Sequence, residues 1–267
     1  MRLLYCDETN LEYQDGGFFI YGGLSIPGDN AFELSEKVRE LKKASKIPDD
    51  FNIKLNPGPC NMSHQEFIEL KQNIIIAAIE AECELHVSMI LHNISTGSQQ
   101  ARLNEINRVI FQFNTSLVCY DDVGLVLLDR FSDASIDAHV REKFLVGLNM
   151  PYNNKFKINR ILGIHYSAIG QSYFSSVMDI IIGSLRFCIN AHTHHKEQST
   201  DSCATILRLL SPLFSRDPSN LVPERNLFFS PKIIRVPKYR EQYESLKAFL
   251  AAEEIIAAQI ITNVRTY

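Results

Sequence analysis

Leu3-Leu4-Tyr5-Cys6-Asp7-Glu8-Thr9 is the most informative stretch of the chain, because an apolar run ends abruptly in two carboxylates. Such a short apolar run is typical of a buried strand. Acidic side chains at its end cost desolvation free energy unless a cation or hydrogen-bond donors offset them. Successive side chains alternate across a strand, so Asp7 and Glu8 point to opposite faces. We therefore expect Asp7 to be the ligand in a site and Glu8 to be an accessory or structural acid.

Two further carboxylates interrupt apolar elements. Asp129 ends the run that begins at Val123, and Asp179 lies inside the apolar helical segment 177–182. Carboxylate oxygens suit Mg²⁺ or Mn²⁺, and paired ions of this kind promote phosphodiester cleavage. We therefore predict a catalytic metal site in which Asp7 bridges the ions and Asp129 and Asp179 complete their coordination, with Lys54 near the phosphate. Alternatively, each acid caps a loop, or Asp179 pairs with Arg186 or with backbone donors.

The order of the predicted elements indicates an α/β fold. Strands are predicted at 2–6, 18–26, 84–91, 123–128 and 158–166, and helices at 31–44, 63–81, 97–119, 135–148 and 172–191. This order is that of a ribonuclease H-like fold, with a mixed five-stranded sheet flanked by helices and a helical insertion at about 30–82 after strand two. We assign residues 1–203 to this domain. Residues 204–267 form a C-terminal extension packed on it, with a long final helix over 239–264.

Composition limits the classes of function. The chain has 267 residues, 45% of them apolar, and a formal net charge of −4, so nucleic-acid binding would need a local basic patch. No stretch reaches the roughly 18 continuous apolar residues of a membrane span, and no signal peptide is visible, which favours a soluble cytoplasmic protein. The final helix is a candidate core element or homo-oligomer interface.

One segment combines basic and aromatic residues. Residues 225–240 contain Phe228, Phe229 and Tyr239 among basic side chains, a composition that suits single-stranded nucleic acid. The alternative is an ordinary β-rich segment with one solvated face. The basic side chains are Arg225, Lys232, Arg235, Lys238 and Arg240.

Several short motifs resemble those of domain-of-unknown-function family 3800. The segments 5–9 and 18–27, Ile53-Lys54, Leu128-Asp129 and 178–183, with Ser167 and Gln171, are similar to that family's motifs in order and spacing. The resemblance covers about residues 1–192. It implies a ribonuclease H-like fold and metal-dependent nuclease or related phosphoryl chemistry, with Ser167 and Gln171 as accessory residues.

The sequence departs from the family pattern at several positions. Thr9-Asn10 replaces Ser-Gly, Met178 replaces a small residue, and Asn52 stands where the family has an acid before Lys54. Glu105 is a candidate substitute for that acid. The expected function is therefore a metal-dependent nuclease, and the alternative is an inactive nucleic-acid- or protein-binding module with the same fold. An aspartyl phosphatase is disfavoured, because Thr9 occupies the place of the second aspartate that such enzymes need.

Overall fold

The computed structural model describes residues 1–48, 50–129, 134–149, 154–168, 170–194 and 200–264. The strands are β1 (Arg2–Thr9), β2 (Phe18–Pro27), β3 (Glu84–Leu91), β4 (Gly124–Asp129), β5 (Leu148–Asn149), β6 (Lys155–Phe156), β7 (Ile161–Ser167) and β8 (Leu227–Ser230). The helices are α1 (Gly28–Ala44), α2 (His64–Glu80), α3 (Ser98–Cys119), α4 (Ala134–Val146), α5 (Tyr173–Thr193), α6 (Thr200–Leu210) and α7 (Pro237–Ala251). Short 3-10 turns follow β3, at His92–Ile94, and α6, at Ser211–Leu213.

The main sheet has six strands in the order β7-β4-β1-β2-β3-β8. The neighbours β1, β2 and β3 are antiparallel, whereas β4 is parallel to β1 and β7 is parallel to β4. The small strands β5 and β6 form a separate two-stranded sheet. The chain is therefore an α/β protein with a mixed sheet, as the sequence predicted.

Helices cover both faces of the sheet. On one face α5 packs against β1 and β2, with α1, α2 and α6 beside it, and on the other α3 packs against β2 and β3. Alternation along β1 serves both layers, since Tyr5 belongs to the core under α5 and Leu4 and Cys6 belong to the core under α3. The sheet is thus buried on both faces, which explains the nearly continuous apolar runs of its strands.

The capping of α2 follows directly from the sequence. Ser63 accepts a hydrogen bond from the backbone N–H of Glu66, whose carboxylate accepts in return from the Ser63 N–H, at 3.3 and 2.7 Å. This reciprocal pair is a capping box, and it satisfies two backbone donors at the start of the helix. The helical insertion after the second strand consists of α1 and α2.

The predicted strand number and final helix need correction. The sixth strand, β8, comes from the C-terminal extension and pairs parallel to β3, so the extension belongs to the sheet itself. The last helix, α7, ends at Ala251, and later residues form isolated bridges between Val222 and Ala257 and between Ile233 and Thr262. These pairings compete with helix continuation, because the bridges take the backbone groups that a longer helix would use.

The apolar face of α7 packs within the chain. Leu246 and Leu250 are buried, whereas Ile260 and Val264, further along the predicted helix, are exposed. The helix predicted over 172–191 corresponds to α5, which runs to Thr193. The next helix, α6, begins at Thr200, and residues 195–199 lie outside the described residues.

One described helix, α5, has the length and apolar composition of a membrane span. Of its most apolar window, 67% is buried inside the fold. That burial is typical of the core helix of a soluble protein, and it accounts for the apolar sequence around Asp179.

Candidate functional site

The carboxyl ends of two parallel strands bring Asp7 and Asp129 side by side. In the ladder between β1 and β4, Cys6 pairs with Leu128, so Asp7 and Asp129 are the next residues of their strands. Residues in register on neighbouring strands share a face of the sheet. Asp129 also pairs with Ser167 at the end of β7, and Ser167 is buried. The strand ends therefore place two predicted ligands and one predicted accessory residue together.

Close packing of α5 on the sheet brings the third carboxylate to the same place. Gly22 pairs with Asp7 across the hairpin, and a Cβ atom there would lie 2.5 Å from Ile182 Cδ1 and 2.9 Å from Met178 Cε. Glycine at this position therefore lets α5 approach the strand. Asp179 follows Met178 on that helix.

A second glycine, Gly183, lets the segment around Lys54 lie against α5. A Cβ atom on Gly183 would lie 2.9 Å from both Leu55 Cβ and Leu55 Cδ2. The backbone N–H of Leu55 donates to Asp179 Oδ2 at 2.6 Å, which ties this segment to the helix. The predicted alternative of a backbone donor for Asp179 is thus present, whereas Arg186 donates to Thr9 Oγ1 at 3.0 Å.

All four predicted catalytic residues line one small cavity. Asp7, Asp129, Asp179 and Lys54 surround a space of about 40 Å³. A water molecule needs roughly 10–15 Å³ by the same measure, so the space admits an ion or a few waters but not a nucleotide. The other described lining residues are Tyr5, Asn52, Ile53, Ser175 and Ser176.

Burial and like charge act together on Asp7. Its pKa is raised to about 7, first by burial and then by the carboxylates of Asp179, Asp129 and Glu8, against the opposing effect of the Glu8 backbone N–H. That N–H donates to Asp7 Oδ1 at 2.7 Å. A carboxyl group with these neighbours favours either a proton or a cation at neutral pH.

The oxygen atoms that line the cavity suit a hard cation, but the described carboxylates are not arranged as the ligands of an ion. Mg²⁺ and Mn²⁺ prefer oxygen ligands, and three carboxylates line this cavity. Within the described part of the chain, however, no group of three His, Cys, Asp or Glu side chains is arranged to hold a metal ion. Asp7 and Asp179 each also accept a hydrogen bond from the backbone. Each of these two carboxylates has a second oxygen atom that could ligate an ion while the backbone hydrogen bond holds the first.

Glu8 lies on the opposite face of the sheet, as strand alternation predicted. Both of its carboxylate oxygens accept from the Arg102 guanidinium of α3, one of them from Nε at 2.6 Å. Glu105, the candidate substitute for the missing acid, is on the same helix, fully buried and bonded to the Ser88 hydroxyl. Glu105 therefore lies on the side of the sheet covered by α3, opposite to α5 and Asp179. Its predicted role as a substitute ligand is wrong.

Tyr5 and Asn52 also line the cavity, although neither is among the predicted site residues. Tyr5 precedes Asp7 by two residues, so alternation places both on one face, and that signal was available. Its hydroxyl is buried close to those of Ser167 and Ser175, and burial raises the pKa of Tyr5.

Asn52 lies in the cavity where the family pattern would put an acid. Gln171 lies outside it, exposed, and accepts from the Ala168 N–H at 3.2 Å.

The basic and aromatic segment does not form the surface that its composition suggested. Phe228 and Phe229 are buried in β8, so they cannot stack on bases, and Arg108 lies over the Phe228 ring at 4.0 Å. Lys232 pairs with Glu224 at 2.6 Å. The alternative of a β-rich segment fits these residues. None of the five basic side chains is among the described residues that line the carboxylate cavity; they are Arg225, Lys232, Arg235, Lys238 and Arg240.

Gly183→Ala is expected to displace the Lys54 segment. Alanine favours a helix over glycine by about 1 kcal/mol, but overpacking costs about 1–3 kcal/mol, so the variant should be slightly less stable. The Leu55 N–H would move from Asp179, and the affinity of the cavity for Mn²⁺ should fall about tenfold, which is about 1.4 kcal/mol. Thermal unfolding and Mn²⁺ titration check this. Phe187→Leu, exposed on α5, is the control, and equal Mn²⁺ affinity of both variants would contradict the expectation.

Comparison with known protein families, with curated proteins and with solved structures finds no significant match.

Proposed function

We propose that this protein is a divalent-metal-dependent nuclease that hydrolyses phosphodiester bonds, and that its fold is ribonuclease H-like. The observation that carries the proposal is the meeting of Asp7, Asp129 and Asp179 in one cavity with Lys54. Support for the fold comes from the strand order β3-β2-β1-β4-β7, with the first three strands antiparallel and the last two parallel to β1. The sixth strand adds to the β3 edge.

Each side chain has a separate task in the proposed reaction. Asp7, Asp129 and Asp179 would supply the negative charge and the oxygen atoms that hold Mg²⁺ or Mn²⁺. Lys54 is exposed at the rim of the cavity, where its ammonium group can pair with a phosphate oxygen. The chemistry that a bound ion would supply is activation of water and stabilisation of the leaving oxygen. The Leu55 N–H holds Asp179 in place through its hydrogen bond.

The direct test is cleavage of labelled RNA, DNA and RNA–DNA hybrid. Each substrate is incubated with the purified chain and Mn²⁺, Mg²⁺ or EDTA, and products are separated by length. We expect metal-dependent cleavage of at least one substrate. Lack of cleavage of all three with either metal, by protein that is folded, would contradict the proposal.

The second candidate is a non-catalytic binding module with the same fold. Two observations favour it, since Asn52 occupies the place of an acid and the described carboxylates are not arranged around a metal position. Calorimetric titration with Mn²⁺ separates the two candidates. A nuclease of the proposed kind binds the ion, whereas no binding at millimolar Mn²⁺ would favour the module.

Asn52→Asp is expected to strengthen metal binding. Asn52 already lines the cavity, so the variant adds a fourth carboxylate without changing the size of the side chain. Affinity in oxygen-ligand sites rises with the number of charged ligands, and we expect Mn²⁺ to bind about tenfold more tightly. Calorimetry measures the change, with Asn52→Ala as the matched control. Unchanged affinity in Asn52→Asp would show that this side chain does not reach the ion.

A further inference from the structure

A second cavity adjoins the carboxylate cavity. It has a volume of about 390 Å³ and shares Asn52 and Ser176 with the smaller one. Ligand sites for organic molecules are commonly 300–1,000 Å³ in volume, whereas the carboxylate cavity, at about 40 Å³, has room for an ion. The two spaces together therefore suit a substrate with a charged centre and one larger organic group.

The lining of the larger cavity is polar and lacks carboxylates among its described residues. Ser35, Gln171 and Ser172 contribute hydroxyl and amide groups in addition to Asn52 and Ser176 at the junction, and Lys42 contributes an ammonium group that donates to the Phe51 carbonyl. Hydroxyl and amide groups both donate and accept hydrogen bonds, which suits sugar hydroxyls and base edges.

An aromatic ring forms part of the wall of this cavity. Tyr173 is half-buried at the start of α5, and the Lys42 ammonium lies 5.6 Å from its ring centroid. Lys42 is itself buried and donates to the Phe51 carbonyl at 2.9 Å, so its position beside the ring is fixed. A tyrosine ring held in this way offers a surface on which a base can stack.

We infer that the larger cavity binds one unpaired ribonucleotide next to the cleaved phosphate. Its base stacks on Tyr173, and its ribose 2′-hydroxyl bonds to Asn52 or Ser176 at the junction. Stacking on a protein ring needs a base that is free to leave its own stack, so the substrate of this inference is single-stranded RNA or an unpaired loop. This inference rests on the proposed function only for the position of the phosphate.

The test compares binding of a short oligouridylate with that of its 2′-deoxy counterpart. Fluorescence anisotropy measures binding, and EDTA removes divalent ions so that no metal-dependent cleavage occurs. Repulsion between phosphates and carboxylates affects both oligonucleotides and cancels in the ratio of their affinities. We expect the ribose form to bind about tenfold more tightly, a difference of about 1.4 kcal/mol. Ser176→Ala should reduce this ratio. Equal binding of the two oligonucleotides by the wild-type protein would overturn the inference.

A pair of tyrosine variants tests the stacking surface. Tyr173→Leu keeps an apolar side chain but removes the ring, and we expect about tenfold weaker binding of both oligonucleotides. Tyr13→Leu removes an exposed ring outside both cavities and should leave binding unchanged. Thermal unfolding establishes that both variants are folded. Equal binding by Tyr173→Leu and wild type would contradict the inference.

The binding test and the cleavage test fail independently. Ribose-selective binding without cleavage by any metal would remove the proposed nuclease and leave the nucleotide site in place. Metal-dependent cleavage with equal binding of the ribose and deoxy forms would remove the ribonucleotide site and leave the nuclease in place.

Discussion

Asp7→Asn is expected to lower metal-dependent cleavage by about a thousandfold, which corresponds to about 4 kcal/mol of transition-state stabilisation. Asp7 lies at the end of β1 in the cavity, and both Asp129 and Asp179 act on its pKa. The substitution removes the central negative charge while keeping the size of the side chain. The measurement is the single-turnover rate on labelled RNA with saturating Mn²⁺.

Glu8→Gln is the matched control, because Glu8 is adjacent in sequence but faces α3. Its carboxylate pairs with Arg102 and is about 18% exposed, so this variant should lose stability. Its cleavage rate per folded molecule should stay within a few-fold of wild type. Assays therefore run well below the unfolding temperature of both variants. A thousandfold loss in Glu8→Gln, or an undiminished rate in Asp7→Asn, would contradict the assignment of Asp7.

The sheet around β1 could be predicted from the sequence because its signals are local. The strand at 84–91 was predicted with the bounds that the structure gives to β3, Glu84–Leu91. Alternation along β1 also predicted the separation of Asp7 and Glu8, and the structure places them on opposite faces of the sheet. Each of these features depends on a few consecutive residues, so one sequence is enough to indicate it.

The C-terminal extension was harder to predict, since its structure depends on distant partners. Residues 227–230 form a strand because β3 offers an unpaired edge, and this pairing joins residues far apart in the chain. Burial of Phe228 and Phe229 follows from that pairing. Apolar residues continue at helical spacing beyond Ala251, so periodicity alone could not show where α7 ends.

The position of Asn52 was also beyond the local pattern. Asn52 belongs to the loop between α1 and α2, and packing of Leu55 against Gly183 brings that loop to the cavity. The family resemblance indicated that the residue two before Lys54 matters, but no spacing rule places a loop residue against a helix some 130 positions later. Only the tertiary contact shows that Asn52 borders both cavities.

The metal-free protein is expected to lose stability as the pH rises from about 4 to about 7. Burial and the neighbouring carboxylates raise the pKa of Asp7 from its ordinary value of 3.8 to about 7 in the folded state. Folding therefore favours the protonated carboxyl group. Its contribution to the free energy of unfolding is complete below pH 4 and is lost as the pH rises through 7. Each pKa unit corresponds to about 1.4 kcal/mol, so the free energy of unfolding should fall by up to about 4 kcal/mol.

Asp7→Asn isolates this effect, because asparagine resembles the protonated carboxyl group at every pH. The difference in free energy of unfolding between variant and wild type should be small near pH 4, grow up to pH 7 and then remain constant. Urea unfolding in EDTA across this range measures it, and other titrating groups cancel in the difference. Added Mn²⁺ should stabilise the wild type above pH 7 more than the variant, since binding to the folded state shifts the equilibrium. If the difference in free energy of unfolding did not change with pH, ionisation of Asp7 would not destabilise the folded state. The repulsion between carboxylates that favours a cation in this cavity would then be absent.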